Sequence, residues 1–434
     1  MSMLDIFLRL TASPTGDITD RSMTPKPALI GEGIRTARWL FLTGYVFACV
    51  LFWWAPYLLM SLLGFQVSTS SWTISVGVAA FVVFVVVYLL PQPRLRSPRT
   101  SVRTLEMCAA FSYRATILWA IPAFMCAAEF GLYRWGQAYG EGQRISFIYQ
   151  AVLYVHLFLG FLFLGAASDE ARDRRRILIV AGLITLPRLF ISLHWGRFFL
   201  AQALIPIMLI AIARGWIKIS FKRFFLLSMA ALFVLIVPAV TRGDSVFGGD
   251  EFGHYTIVNF LYQGSTMKFF EDNRDLPWTC PPLLVSITSK VIPYSTLNVC
   301  VVDVGDDKRV PATLDVLLTK QYSDDLLLGT GGVYLLDLYL LGGIPAIIGG
   351  TAIFAFTCKR FVDWIGHRSL YAGIWAECLS RAFLAPRGNL GYIYERIPSL
   401  VLATLLVVLA CRIAVLLKRS ATGTDLSLPA QSGS

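Results

Sequence analysis

Several arginines and one aspartate lie within or beside strongly apolar stretches of this sequence, where charged side chains are costly and mark functional sites. The arginines are Arg188, Arg197, Arg242, Arg381 and Arg387, and the acid is Asp337. A guanidinium stays charged when it is removed from water and can bind phosphate oxygens in pairs. The set therefore suits an anionic ligand such as a lipid-attached diphosphate. Each arginine taken singly could instead pair with a neighbour, as Arg381 could with Glu377, or reach a lipid headgroup.

The apolar stretches that position these residues are those of an integral membrane protein. Of 434 residues, 56% are hydrophobic and 15% charged, which is too apolar for a single water-soluble core. The sequence predicts about ten transmembrane helices in an all-α polytopic fold. They lie at 39–63, 72–90, 111–133, 145–166, 177–193, 197–213, 223–240, 332–356, 369–386 and 397–417. The pair 177–193 and 197–213 could also form one re-entrant hairpin, but the flanking charges favour two short helices.

Basic residues in the loops predict the orientation of these helices. The segments 91–110, 167–176, 214–223 and 357–368 hold 15 lysines and arginines, whereas the alternate segments 64–71, 134–144, 194–197 and 387–396 hold five. Basic loops face the cytoplasm, so both termini are expected inside. The net charge of +11 therefore indicates membrane topology and no nucleic-acid partner.

These boundaries divide the chain into five regions. They are a cytoplasmic tail at 1–38, seven transmembrane helices at 39–240, a large extracytoplasmic segment at 241–331, three transmembrane helices at 332–417 and a cytoplasmic tail at 418–434. A structureless connection as long as the extracytoplasmic segment would be unusual. We therefore expect it to carry surface helices, at 254–270 and 311–327.

Two of the eight cysteines, Cys280 and Cys300, share the extracytoplasmic segment. In an oxidising compartment they could form a disulfide across a separation of 20 residues, since such compartments allow the bond to persist. Two free thiols are the alternative, and the sequence leaves both open.

The sequence contains no motif for a metal ion or a nucleotide. Its four histidines form no cluster at zinc spacing, and there is no P-loop. We therefore predict no cofactor and no metal. Among groups that could accept a proton, Asp337 is the first candidate because of its placement, followed by His254 and His194.

The order of these features resembles the bacterial O-antigen polymerases, the Wzy-type polysaccharide polymerases. The shared features are an arginine between two mid-chain spans (Arg197), a large outer segment, the stretch GTGGVYLLDLYLLGG ending at Gly343, and PRGNL at 386–390. In that family an acid, an aromatic residue and a glycine pair follow the glycine-rich stretch, as Asp337, Tyr339 and Gly342 with Gly343 do here. The family's acid is more often glutamate. The resemblance covers about 177–417, and the first three spans add only architecture.

The resemblance implies an inverting, metal-independent membrane glycosyltransferase with a GT-C-like fold in the bacterial inner membrane. Its substrates would be oligosaccharide repeat units on undecaprenyl diphosphate, and its product an O-antigen, capsule or exopolysaccharide. Arginines, with Tyr339 and His194 beside them, would bind the diphosphate, and an outer acid or histidine would activate the acceptor. A chain-length regulator and a flippase are the expected protein partners, besides membrane lipids.

Three other functions remain open at the sequence level, one of which is a membrane scaffold within a polysaccharide export complex, in which the arginines bind lipid only. The related O-antigen ligases share the architecture and are similar in using an outer-loop histidine, for which His254 is the candidate. A transporter or flippase of an anionic lipid-linked glycan would predict an internal repeat and charges that reach both sides of the bilayer. We find no clear repeat.

Overall fold

The computed structural model describes residues 27–54, 58, 70–91, 101–129, 147–169, 171–194, 198–217, 267, 270–271, 274, 280–288, 297, 299–303, 309–311, 334–383, 385–386, 390–394 and 397–421. The helices are α1 (Pro27–Cys49, continued by a π-helical turn at Val50–Trp54), α2 (Ser71–Leu89), α3 (Val102–Ala127), α4 (Phe147–Ala166), α5 (Ala171–His194), α6 (Phe198–Ala213), α7 (Pro282–Thr288), α8 (Tyr334–Ile365), α9 (Ala372–Ala382), α10 (Leu390–Tyr394) and α11 (Ile397–Ala421). Strands β1 (Val301–Asp303) and β2 (Arg309–Pro311) pair antiparallel. The described fold is helical apart from this pair.

The described helices are apolar on their exposed faces as well as in the core. On α2, Val78, Val82 and Val86 are 43%, 49% and 49% exposed, while Phe84 and Tyr88 are buried. A helix of a water-soluble protein carries polar residues on its exposed face. By length and composition α2, α3 and α8 could cross a membrane, and shorter apolar helices run over 151–166, 199–213 and 400–413. The protein is therefore a membrane-embedded helical protein.

The described helices run between two ends of one bundle. The end that we call the basic end contains residues 33–38, 88–91, 165–169, 212–217 and 359–369, which contact one another through bonds such as Arg38 to Asp363. The opposite end, the hairpin end, contains residues 70–73 and the glycine turn of α8. Four basic loops predicted to share one side all adjoin the basic end. Described parts of the basic segments therefore lie toward one end of the bundle, and the side of the membrane that this end faces stays a prediction.

Helix α8 contains a break where the sequence predicted one continuous span at 332–356. Gly342 and Gly343 leave the helical conformation, and Gly343 has φ 66°, a value that glycine adopts without steric cost. The break separates a first arm, residues 334–341, from a second arm, residues 344–365. At about 1.5 Å per residue the second arm is about 33 Å long, enough to span a bilayer.

The two arms of α8 lie side by side as a helical hairpin. The rings of Tyr334 and Phe354 are 5.6 Å apart between centroids, although a straight helix would separate these residues by about 30 Å. A Cβ on Gly350 would collide with the side chain of Leu338, so the arms approach closely there. The prediction of a single straight helix was wrong because hydropathy cannot distinguish one apolar helix from two apolar arms that pack together.

Helix α9 occupies the centre of the bundle and is shorter than the predicted span 369–386. It has 11 residues, about 16 Å, which is roughly half the thickness of the bilayer's hydrocarbon core. It is buried along almost all of its length and contacts α4, α6 and α8. Its end lies inside the bundle, where Phe383 packs against Phe41 of α1. Non-helical backbone at such a depth requires partners within the protein.

Other predicted boundaries differ less. Helix α1 begins at Pro27, so residues 27–38, predicted as part of a polar tail, are helical, and Arg38 among them bonds Asp363 at the basic end. Helix α3 begins at Val102 rather than 111. Helices α5 and α6 are two separate helices, an arrangement common to both alternatives considered for this pair. The predicted span 223–240 lies outside the described residues.

The described part of the outer segment packs onto the hairpin end. A disulfide joins Cys280 to Cys300, whose Cα atoms are 5.7 Å apart, and α7 contacts α8 and α10. Of the predicted helix 254–270, the described Met267 and Phe270 are buried. Of the predicted helix 311–327, only Pro311 is described, as part of β2.

Candidate functional site

The site is centred on Asp337, in the first arm of α8. Its side chain is 1% exposed, and its Oδ2 accepts the backbone N–H of Leu390 at 2.6 Å. This N–H begins α10, where a helix has no internal acceptor for it and a negative charge is favourable. The bond brings the glycine-rich stretch and the PRGNL stretch together, although they lie 53 residues apart.

Asp337 lies well below the hairpin end. The adjacent Leu338 packs against Gly350, six residues along the second arm from its start at Ile344. At about 1.5 Å per residue this places Asp337 about 9 Å below the glycine turn. The hairpin therefore carries a carboxylate from the outer segment into the interior of the bundle, which a straight helix entering at 334 would not do.

The segment between α9 and α10 is held from the other side by α1. The indole N–H of Trp53 donates to the carbonyl of Pro386 at 2.7 Å, and both residues are buried. The hydroxyl of Tyr45, also in α1, lies 3.0 Å from that of Tyr334, which is about one helical turn before Asp337. Three separate segments, from α1, α8 and the chain before α10, thus meet around Asp337.

Arg381, predicted to bind the diphosphate, forms an ion pair with Glu377. Its Nη2 lies 3.0 Å from Glu377 Oε1, and the two side chains are 1% and 5% exposed. Arg381 also lies in the last turn of α9, where the helix dipole favours a positive charge. The ion pair with Glu377 is the alternative to ligand binding that the sequence left open for Arg381. Binding of a ligand by Arg381 would have to compete with Glu377.

Arg188 lies in a different part of the bundle. Its Nη2 donates to the carbonyl of Leu153 at 3.0 Å, and its guanidinium faces the rings of Tyr154 and Phe199 at 5.3 and 5.6 Å. These partners belong to α4 and α6, near a small second core cluster. The structure therefore separates Arg188, held among α4, α5 and α6, from the segments that meet at Asp337. Of the five arginines predicted to share a ligand, the described ones are Arg188, which contacts α4 and α6, and Arg381, which pairs with Glu377.

Tyr339 lies at the mouth of the site, two residues or about half a helical turn beyond Asp337. Its ring contacts the rings of Trp72 and Phe270 at 6.0 and 5.6 Å. Arg274 lies 4.3 Å from the centroid of Trp72, and the Glu271 carboxylate accepts the N–H of Ser70 at 2.9 Å. The outer segment is thus fixed to the start of α2 beside the hairpin.

Other predicted site residues fall outside what the structure describes. They are Arg197, Arg242, Arg387 and His254, together with the side chain of His194, the last residue of α5. In the chain, Arg387 lies between two described residues, Pro386 and Leu390. Trp53 bonds the carbonyl of Pro386, and Asp337 accepts the N–H of Leu390. Within the described residues, no group of three or more His, Cys, Asp or Glu is placed to hold a metal ion.

Sequence reasoning missed Trp53 and the backbone of Leu390. A tryptophan near the end of a transmembrane helix is ordinary at a membrane interface, so its type gave no signal. The N–H of Leu390 is invisible in any side-chain pattern.

Searches against models of known protein families, characterised proteins and solved structures found no match to the chain.

The chemical capability of the site follows from these contacts. A carboxylate that is withdrawn from bulk water and accepts the N–H of Leu390 is a group that can orient a hydroxyl and accept its proton. Its surroundings are preorganised by the hydrogen bonds of Trp53 and Leu390. The arrangement suits proton abstraction from an alcohol that reaches the bundle from the hairpin end.

Proposed function

We propose that the protein is a polysaccharide polymerase of the bacterial inner membrane that joins oligosaccharide repeat units carried on undecaprenyl diphosphate. The observation that carries the proposal is the Asp337 to Leu390 bond. It brings together the two stretches on which the resemblance to O-antigen polymerases rests. In this proposal the bundle has about ten transmembrane helices in a GT-C-like arrangement, and the hairpin end faces the periplasm.

The proposed reaction is an inverting glycosyl transfer. A hydroxyl of the acceptor repeat unit attacks the anomeric carbon of the donor glycan from the face opposite the diphosphate. The new glycosidic C–O bond forms while the bond to the diphosphate oxygen breaks, and undecaprenyl diphosphate leaves with that electron pair. Asp337 takes the proton of the acceptor hydroxyl. Arginines bind the leaving diphosphate and stabilise its developing charge, with Arg387, next to Pro386, as the first candidate.

A second function is favoured by a specific observation, the glycine break in α8. Discontinuous membrane helices commonly form the substrate sites of transporters, so a transporter or flippase of an anionic lipid-linked glycan would also use such a hairpin. The polymerase is preferred because the same break holds Asp337 against the PRGNL stretch through the Leu390 N–H.

The proposal is tested with purified protein in liposomes that contain single lipid-linked repeat units and no added metal. We expect a ladder of longer glycans that is insensitive to a chelator. Asp337→Asn keeps an acceptor for the Leu390 N–H but removes the basic oxygen, so the ladder should decrease by about a hundredfold or more at normal protein level. Arg387→Lys keeps the charge but loses the planar fork and should also lower activity strongly.

Three outcomes would contradict the polymerase. A ladder that survives both substitutions would remove the site, and transfer to a lipid A core without a ladder would identify a ligase. Movement of intact lipid-linked repeats across the bilayer without new glycosidic bonds would identify a transporter. A chelator-sensitive ladder would contradict the metal-independent mechanism alone.

The proposed orientation has a separate test. Single cysteines at Asp275 or Lys308 should react with a membrane-impermeant thiol reagent on intact cells, in a background where the native cysteines outside the disulfide are replaced. A cysteine at Lys218 should react only after the membrane is permeabilised. The reverse pattern would place the hairpin end in the cytoplasm and exclude a periplasmic site.

A further inference from the structure

Trp53 occupies an unusual position at the end of α1. It lies in the π-helical turn Val50–Trp54, a conformation that is rare and frequently occurs at functional sites. Its side chain is 2% exposed, and it is among the largest fully buried side chains of the described residues. Its indole N–H, the single polar atom of the side chain, donates to the Pro386 carbonyl, 333 residues away in the chain.

Two hydrogen bonds hold the segment that enters α10. Trp53 bonds the carbonyl of Pro386, and Asp337 bonds the N–H of Leu390. Pro386 and Leu390 are four positions apart in the chain, so these two bonds fix both ends of one short connection. The Trp53 ring also lies 5.9 Å from that of Tyr334, which begins the arm that carries Asp337. One side chain therefore contacts both segments of the site.

We propose that Trp53 is a positioning residue for glycosyl transfer: its indole N–H fixes the Pro386 carbonyl and thereby the approach of the Leu390 N–H to the Asp337 carboxylate. This inference rests on the proposed function. It assigns a role to the first transmembrane helix, which lies outside the part of the chain that carries the resemblance. Trp53 does not touch the reacting atoms, so its effect is on geometry, where small displacements lower the rate of the chemical step.

A packing role and a positioning role for Trp53 make different predictions. Packing depends on the ring, whereas positioning depends on the N–H. Trp53→Phe removes the N–H and part of the ring. A second variant carries benzothienylalanine at position 53, in which sulfur replaces the N–H and the ring size is kept. The matched control is Trp54→Phe, because Trp54 is the neighbouring half-buried tryptophan, in ring contact with Phe81.

Rates and KM are measured in the liposome assay. Both changes at position 53 should lower kcat about tenfold, equivalent to about 1.4 kcal/mol in the barrier, with KM for the lipid-linked donor within about twofold. Trp54→Phe should keep kcat within about twofold. Unchanged kcat in the benzothienylalanine variant would overturn the inference, as would an equal loss in Trp54→Phe.

A second measurement separates this inference from the proposed function. A hydrophobic carbodiimide labels protonated carboxyl groups within membranes, and labelling of Asp337 can be read by mass spectrometry whether or not the protein makes a ladder. The Leu390 N–H occupies Oδ2 of Asp337, so displacement of Leu390 should expose that oxygen and speed labelling several-fold in both position-53 variants and not in Trp54→Phe. Equal labelling in all three would refute the positioning role. If the wild-type protein makes no ladder but the variants differ in labelling as expected, only the polymerase is refuted.

Discussion

At the basic end, cationic side chains hold the last carbonyls of helices, whereas at the hairpin end acidic side chains hold the first N–H groups. Arg214 donates to the carbonyls of Gly165, Ala167 and His367, close to the end of α4. Glu271 accepts the Ser70 N–H before α2, as Asp337 accepts that of Leu390. The difference follows from helix polarity, because helix ends expose carbonyls or N–H groups that need partners of opposite charge.

The comparison shows that the basic loops have two roles. Loop charge predicts orientation because cationic segments remain on the cytoplasmic side. In the described bundle the same cations also bond carbonyls at or near helix ends: Lys359 bonds that of Leu90, and Arg368 that of Ala166. Each basic side chain of this kind stabilises the fold. At the hairpin end, by contrast, the polar bonds hold irregular backbone around one carboxylate, as expected of a site.

The largest effect on stability is expected for Arg214→Met at the basic end. Arg214 is buried and bonds three carbonyls, so the change should lower the free energy of unfolding by about 3 kcal/mol. The control is Arg176→Met, because Arg176 is 30% exposed and pairs with Asp173 on its own helix; a change within about 0.5 kcal/mol is expected. Thermal unfolding in detergent measures both. Equal losses would show that the carbonyl contacts of Arg214 contribute little.

The next effect concerns the glycine turn at the hairpin end. Gly343 has φ 66° with no close neighbour for a Cβ, so Gly343→Ala tests backbone strain alone and should cost about 1 to 2 kcal/mol. Gly349→Ala, in the second arm, also has open space and lacks a positive φ. It should be neutral or stabilising, since alanine favours helix. If both variants were equally stable, the hairpin turn would not constrain the backbone as described.

A smaller effect tests two similar helix caps at opposite ends. The hydroxyl of Ser70 accepts the N–H of Thr73, and that of Ser101 accepts the N–H of Thr104. Ser70 is half-buried and Ser101 exposed. Replacement by alanine should cost about 1 kcal/mol at Ser70 and about 0.5 kcal/mol at Ser101. A larger loss at Ser101 would contradict the view that burial strengthens the cap at the hairpin end.

The smallest effect is a pH dependence at the basic end. Partial burial and the positive Arg214 lower the pKa of His367, while Asp363 opposes the shift. The folded protein therefore binds this proton less readily than the unfolded chain, whose histidine pKa is about 6.5. The contribution to stability is present above that value and is lost as the pH falls through it toward the lower folded pKa. His367→Gln should flatten the stability profile between about pH 7 and 5; an unchanged slope would assign the pH dependence to other groups.

Much of the fold was predictable because hydropathy acts along the chain. Helix α2 was expected at 72–90 and lies at Ser71–Leu89, and α4 was expected at 145–166 and lies at Phe147–Ala166. Helix α8 was the main error, since its break depends on the packing of Leu338 on Gly350. The candidate acid, Asp337, was predicted because a carboxylate at membrane depth is energetically costly. Its partner Leu390 was not predicted, because residue types do not show which backbone N–H groups form a site.

The sequence by itself determined that this chain is a membrane helical protein with basic segments gathered on one side, because apolar length and loop charge are local properties. It also singled out Asp337, since a buried carboxylate is costly wherever it occurs. Only the tertiary structure decided which charges meet. Arg381 pairs with Glu377, Arg188 lies with Leu153, and Asp337 lies with Leu390. Such contacts depend on how each helix is rotated about its axis and how deeply it lies in the bundle. Long-range packing determines both, and the pattern of residues along the chain does not.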